Sequence, residues 1–424
     1  MSGLTTSLAK NIFLRSLQSL RRGHLILQED GGARYESGTP GAAPHAVVHV
    51  HHPRFYRRAL LGGNIGLGEA YMDGDWTSPD PTAVIRLAVR NLAAVDQDQS
   101  RFGALGRLFD RLRHRTRDNS IAGSRKNIAA HYDLSNDFFR LFLDENLMYS
   151  CALYRSPDDS LEQAQLHKLA RICEKLQLTK DDHILEIGSG WGGFAEYAVR
   201  HYGCRVTTTT ISQQQHDYCQ RRFAGSPAGE RIVLRKADYR DLTGQFDKLV
   251  SIEMFEAVGL RHYDTFFQRC DRLLKPDGIA LLQTITINEQ AFPAYIRRSD
   301  WIQKYIFPGG ELASVSEILR SLARATQLSL YHAEDLGTHY ARTLAAWRER
   351  FHASLDEVRG LGFDERFVRM WDYYLVYCEG AFLERHVSDC QLVLIKNHNA
   401  CTLYGEPWEN GSAEGSAVRR AQTV

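Results

Sequence analysis

The run Ile184-Leu185-Glu186-Ile187-Gly188-Ser189-Gly190-Trp191-Gly192-Gly193 sets a short apolar segment against a turn of four glycines, and the helical pattern Phe194, Tyr197, Ala198 follows. Glycine permits the sharp turn and lets backbone approach a ligand closely. The helix start beyond it offers unpaired N–H groups. This is a small-molecule loop in an open α/β sheet. Gly188-x-Gly190-x-x-Gly193 formally satisfies the dinucleotide fingerprint, but that fingerprint also wants an acid about 20 residues on, at the end of the second strand. Here the second strand, Arg205 to Ser212, ends in hydroxyls and then Gln213 to Gln215. No acid stands where the ribose diol of NAD needs one.

Other acids frame the loop differently. Glu186 stands two residues before the first glycine, Asp238 follows a third strand at Ile232 to Leu234, and Leu273 to Gly278 reads as a helix end and a turn before another strand. That order of acid, glycine turn, second acid and Lys-Pro-x-Gly turn resembles the S-adenosylmethionine (SAM) methyltransferase sheet. A strand at Lys248 to Ile252 runs into Glu253-Met254-Phe255-Glu256, and a buried strand at Ile279 to Ile287 carries Gln283 in its middle. In open α/β sheets, active groups sit beyond the carboxyl ends of strands, near which Glu256 and Gln283 fall. Glu256 also has a plain reading as an acid favoured at a helix N-terminus, and Glu253 fits that reading better. Cys151 reads equally well as a small buried residue.

The elements that must position these groups divide near residue 120. Before it, His24 to Gln28 and Ala33 to Ser37 flank Asp30-Gly31-Gly32, a hairpin signal, and Ala46 to His52 reads as another strand. Residues 60–76 space glycines through helix and turn signals, and a helix over 77–90 starts after Pro79 and Pro81. The N-terminus mixes Lys10, Arg15, Arg21 and Arg22 with Ile12, Phe13, Leu14 and Leu17, an amphipathic helix rather than a signal peptide. Segment 101–117 puts Phe102, Leu105, Leu108, Phe109 and Leu112 on one helical face among six arginines, which suits a solvated linker or a helix lying on an anionic bilayer. His49 and His51 share a strand face, but a catalytic zinc needs three protein ligands and no third is suggested.

Composition narrows the class. A chain of 424 residues is long enough for two or three domains, and a net charge of +1 gives no global field favouring nucleic acid. Eight cysteines without a CxxC pair argue for reduced thiols in a cytosol and against a disulfide scaffold. No apolar run approaches the length of a spanning helix.

Residues from about 50 to 400 resemble the cyclopropane-fatty-acyl-phospholipid synthase family. The motifs that carry the likeness are His131-Tyr132-Asp133-Leu134, Tyr149-Ser150-Cys151-Ala152, the glycine loop, Met254-Phe255-Glu256, Tyr305-Ile306-Phe307-Pro308 and, in the N-terminal part, Gly66 to Gly74. The resemblance implies a Rossmann-like SAM methyltransferase sheet with a small N-terminal α+β domain. The expected division is an N-terminal lipid- or membrane-interacting domain with linker helix at 1–120, a catalytic domain at 121–400 and a polar tail at 401–424. It implies that SAM is held by Tyr149, Ser150, Glu186, Gly188, Gly190, Trp191, Gly192, Thr210, Ile211, Gln215, Asp238 and Tyr239. It implies further that bicarbonate is held by the Cys151 backbone, Glu256, Gln283, Ile285 and Tyr340. The implied reaction adds a methylene from SAM across a cis double bond of a phospholipid acyl chain. A carbocation forms, and bicarbonate takes its proton as the ring closes. The implied setting is the inner face of the membrane, with unsaturated phospholipid and a second copy of the chain as partners, and with neither nucleic acid nor metal. Two departures stand out: Gln283 and Ala257 replace histidines of the best-known members. Glutamine can donate an N–H but cannot relay a proton, which leaves a methyl- or methylene-branched product as the alternative outcome.

Overall fold

Apolar and β-branched runs cut by glycine turns give two sheets, and segments of helical period cover them. The structure, a computed structural model, describes residues 2–92, 135–397 and 399. The arginine-rich segment 101–117, the motif at 131–134 and the tail at 409–424 lie outside the described residues.

In the N-terminal part, β1 (His24–Glu29), β2 (Arg34–Gly38), β3 (His45–Val50) and β4 (Trp76–Thr77) form a sheet in the order β2-β1-β3-β4. The hairpin turns at Asp30-Gly31-Gly32 as expected, and β3 returns parallel to β1. Helices Ser2–Leu17 and Arg54–Met72 pack on it, with Phe13 edge-on to Phe55. Arg54–Met72 breaks at Gly63, whose φ of 53° and ψ of −134° are not helical. The next helix, Pro81–Arg90, starts on the Asp80 cap, whose side chain accepts from the Ala83 N–H.

The second sheet holds β5 (His183–Ile187), β6 (Arg205–Thr210), β7 (Ile232–Lys236), β8 (Phe246–Ile252), β9 (Leu274–Ile287), β10 (Leu328–Asp335) and β11 (Val387–Lys396) in the order β10-β11-β9-β8-β5-β6-β7. Strands β5 to β9 are parallel, while β11 runs antiparallel to both β9 and β10. This is the open, mostly parallel α/β sheet that the family resemblance implies. Strand order reverses between β5 and β8, so their carboxyl ends open a crevice. One expectation is corrected here: Lys275 to Gly278 is not a separate turn. It is an irregularity inside β9, where the register jumps between the pairs Phe246–Leu274 and Lys248–Ile279.

The N-terminal sheet shares one apolar core with helices of the catalytic part. Leu27, Val48, Tyr56 and Trp76 belong to the same cluster as Phe138, Trp301, Leu344 and Trp371. The Gly66–Gly74 motif makes this junction. Lys304 and Tyr305 both reach the Glu69 carboxylate, and Tyr71 bonds Asp372. Glycine is required at 68 because a Cβ there would come within 2.4 Å of the Trp301 indole and 2.7 Å of Tyr373. Gly68→Ala is therefore expected to destabilise the protein by about 1–3 kcal/mol through overpacking. A fall in the thermal midpoint checks it, and an unchanged midpoint would show that the junction is loose.

Candidate functional site

The crevice widens into a cavity of about 1660 Å³. That exceeds the roughly 300–1,000 Å³ of ordinary small-molecule sites, so there is room for more than one ligand. At one end the glycine loop turns with φ values of 100° at Gly188, 49° at Gly190 and 87° at Gly192. Gly188, Gly190 and Trp191 line the cavity, as do Tyr149, Ser150, Glu186, Thr210, Ile211, Gln215, Asp238 and Tyr239. A Cβ on Gly190 would meet no protein atom, so this backbone is bare toward the cavity. Gly192 is different. It caps the helix Gly193–Tyr202 and faces Phe223, 2.6 Å from where its Cβ would stand. Its part is to shape the turn. Burial raises Glu186 to about 8, against the lowering bond from the Thr208 hydroxyl.

Deeper in the same cavity lie Glu253, Glu256, Ile285 and Tyr340. Glu253 Oε1 accepts from the Cys151 N–H at 2.7 Å and from Gln283 Nε2 at 2.9 Å, and Oε2 accepts from the Tyr340 hydroxyl at 2.6 Å. Glu256 Oε1 accepts from the Ile285 N–H at 2.6 Å and from the Thr284 hydroxyl at 2.9 Å, while Oε2 is buried without a protein partner. Burial first, then the Glu253 charge, raises Glu256 to about 7. Burial also raises Glu253, opposed by its donors and by Lys168. Asp389, behind Gln283, is pushed well above the usual carboxylate range by burial and by both glutamates. Burial and the Glu253 charge raise Tyr340, which keeps it a donor.

The orientation of Gln283 follows from a chain of one-way bonds. An ammonium can only donate, and Lys175 donates to Gln391 Oε1 at 2.7 Å. The Gln391 amide nitrogen then faces Gln283 Oε1 at 3.0 Å. That leaves the Gln283 N–H groups for Glu253 and Asp389, both at 2.9 Å. Register sets the chain up, because Gln283 and Gln391 are directly paired across β9 and β11. Lys168, wholly buried, donates to the Ser150 hydroxyl at 2.7 Å, and its charge acts on Glu253 and Asp389.

Most of the expected site residues thus converge on one cavity. Cys151 contributes backbone; its thiol is buried and raised, so it is not a thiolate. Glu253 was not expected. It is no helix-terminal acid, because only a short 3-10 turn, Phe255–Ala257, follows it. Bicarbonate does not fit the expected cradle. The single hydrogens of the Cys151 and Tyr340 groups and one of Gln283 go to Glu253, the other Gln283 hydrogen goes to Asp389, and the Ile285 N–H goes to Glu256. Each of these donors is committed, so a second anion beside the Glu253 carboxylate would find none of them free. Sequence reading also missed Gln165, Lys168 and Lys175. Their signal was polar residues on the apolar face of the helix Leu161–Lys175, in step with Ala164 and Ile172. Among the described residues no group of His, Cys, Asp and Glu is arranged to hold a metal; His51 bonds Asp30 and Thr77 instead.

Known proteins resemble this chain closely. The family described as mycolic acid cyclopropane synthetase matches residues 120–392. The cyclopropane-fatty-acyl-phospholipid synthase of Escherichia coli is 41% identical over 358 residues, covering 83% of this chain and 88% of its own. The tuberculostearic acid methyltransferase of Mycobacterium tuberculosis is 38% identical over 374 residues, covering 85% and 87%. Among solved structures, a mycolic acid cyclopropane synthase complexed with SAH and CTAB superposes with a TM-score of 0.60 at 32% identity, over 64% of this chain and 98% of that one.

Two outcomes follow from the geometry. Gly190→Ala is expected to cost about 1–2 kcal/mol for its left-handed backbone, yet to weaken SAM binding at least roughly tenfold, because the new methyl enters the ligand space. Calorimetry of SAM binding beside a melting curve checks it; undiminished affinity would remove the loop from the SAM site. Glu256, near 7 in the fold against 4.5 for the free group, keeps a proton that the unfolded chain loses. Its contribution to stability is present below pH 4.5 and is lost as pH rises through 7. The melting point of Glu256→Gln relative to the parent should therefore be higher at pH 8 than at pH 5. A gap that does not change with pH would refute the raised ionisation.

Proposed function

The chain belongs to the cyclopropane synthetase family and is a SAM-dependent methyltransferase, and on that footing we propose that it transfers a methylene from SAM to a cis double bond of a phospholipid acyl chain, forming a cyclopropane ring. The observation that carries this reading is the continuity of one cavity. From the glycine loop it passes Glu253 and Tyr340, then runs between the N-terminal helices and sheet, where Phe13, Leu17, Leu27, Val48 and Phe55 line it. A polar cofactor end joined to a long apolar channel suits an electrophilic sulfonium and a hydrocarbon chain. In the proposed site Tyr149, Ser150, Glu186, Trp191, Thr210, Ile211, Gln215, Asp238 and Tyr239 surround SAM.

SAM supplies an electrophilic methyl, which an isolated alkene attacks only when held at near-attack distance. The chain supplies the rest. Tyr149, Phe307, Tyr340, Tyr374 and Phe382 line the cavity near the carboxyls, and Tyr340 stacks on Phe382 with ring centroids 4.5 Å apart. These rings exclude water from a carbocation and offer it their faces. A base must then take a proton from the transferred methyl. Residues 1–120 form the lipid-receiving domain and 121–400 the catalytic one, and the protein works at the membrane surface. Among the described residues no helix is long and apolar enough to cross a membrane. Leu61, 69% exposed beside the Gly63 break, stands at the rim of the channel. The second reading, a methyl- or methylene-branched product, is favoured by Gln283, which cannot relay a proton.

Incubating the protein with SAM and cis-unsaturated vesicles, then analysing fatty acids by gas chromatography–mass spectrometry, tests the proposal. The expected product is one CH₂ heavier and resists hydrogenation. An equally heavy product that takes up hydrogen would move the function to branching. Leu61→Asp is expected to weaken vesicle binding roughly tenfold or more, the worth of one buried leucine, while leaving SAM affinity unchanged. Flotation with vesicles checks it, and unaltered binding would place membrane contact elsewhere.

A further inference from the structure

We propose that Glu253 is the catalytic base of this protein, a carboxylate built into the chain at the place where the family resemblance puts a bound bicarbonate. The inference rests on the proposed lipid methylation and adds the identity of the group that ends it. Three donors from separate elements converge on one point of the cavity: the Cys151 N–H, the Gln283 amide and the Tyr340 hydroxyl. Such a cradle holds an anion, and the anion it holds is the Glu253 side chain.

The backbone supports the same reading. Glu253 has φ of 48°, a conformation that favours glycine and is uncommon for other residues. Its N–H donates to the Gln283 carbonyl at 2.8 Å, which fixes the end of β8 against β9 and aims the side chain into the cradle. A strained residue whose carboxylate is met by three donors and lines the reaction cavity is placed for work on a substrate.

The step balances with what is present. After methyl transfer, the acyl chain carries a methyl on one former alkene carbon and a positive charge on the other. A methyl C–H bond breaks, and its electron pair forms the second ring bond to the cationic carbon. The proton goes to Glu253 Oε2, which accepts only from the Tyr340 hydroxyl and keeps a lone pair free, while Oε1 is taken up by the Cys151 N–H and Gln283. No external base is consumed, and the proton leaves to solvent after the product.

The test uses the full chain. The linewidth of ¹³C-bicarbonate in NMR reports binding without turnover. The parent protein is expected to leave the signal sharp, and Glu253→Gly, which empties the cradle at an angle glycine accepts, to broaden it. Label transfer from SAM to unsaturated vesicles should run equally fast in bicarbonate-free and bicarbonate-supplemented buffer. Glu253→Gln keeps the shape but cannot take the proton; it should bind SAM normally and turn over about 100-fold more slowly. Broadening by the parent, a bicarbonate requirement of the parent, or a Gln variant above roughly a tenth of parental rate would overturn the proposal. If the parent moves no label to lipid, the functional reading fails, and the NMR comparison still decides what fills the cradle.

Discussion

The site depends on keeping carboxyl groups out of water without leaving them unpaired. Asp389 is fully buried, Glu253 and Glu256 are half-buried, and the charge of Lys168 acts on Glu253 and Asp389. An isolated carboxylate in such a place would take up a proton and cease to be a base. Donors from four sources oppose this for Glu253 and half-satisfy Glu256: a loop N–H at Cys151, a strand amide at Gln283, a strand N–H at Ile285 and a helix hydroxyl at Tyr340. Asp389 lacks that support. One of its oxygens is buried without a partner, and its raised ionisation fits a neutral acid. The fold can be read as the means of bringing those donors to one point.

Each donor arrives by a different route. Strand pairing sets Gln283 opposite Gln391, and the irregularity in β9 advances the strand so that Ile252 pairs with Gln283. Lys175, at the end of the helix Leu161–Lys175, polarises both amides. The same helix anchors the Cys151 segment through Gln165, which donates to the Ser150 carbonyl at 2.9 Å. A glutamine would be a weak choice of catalyst by itself. Held by Lys175 and Gln391, it is a fixed donor, which is the property an anion cradle needs.

Much of this was legible in the chain. The glycine loop, the hydroxyl-rich end of β6 and Asp238 pointed to the cavity end that they line, since turn geometry and strand alternation are local. Glu256, Gln283, Ile285 and Tyr340 came from the family likeness and do meet in space. What stayed hidden depends on non-local register. Glu253 looked like a helix-terminal acid because its φ of 48° has no sequence signature in glutamate. Lys168 and Lys175 went unread because the burial of their helix face depends on packing against the sheet. Gly192 was assigned to the ligand by its place in the loop, whereas its contact with Phe223 could come only from the packing of a later helix. His131 to Leu134 lie outside the described residues.

The identity of the base bears directly on the product. The acyl cation can lose a proton from the transferred methyl, closing a ring, or from a neighbouring chain carbon, leaving an alkene. Relatives named for ring formation and for methylation match this chain to similar extents, so overall likeness does not choose between them. Position does. A diffusible anion can settle wherever donors allow, but a side chain held at three points reaches only the hydrogens that pass beside it. Glu253 is pinned through both oxygens and through its own backbone N–H. In the proposed reaction such a base takes the proton that passes beside it, and the product follows from its placement rather than from its strength. About 1–3 kcal/mol of backbone strain at Glu253 is the cost of that fixed placement, set against a reaction whose alternatives differ only in which hydrogen is nearest.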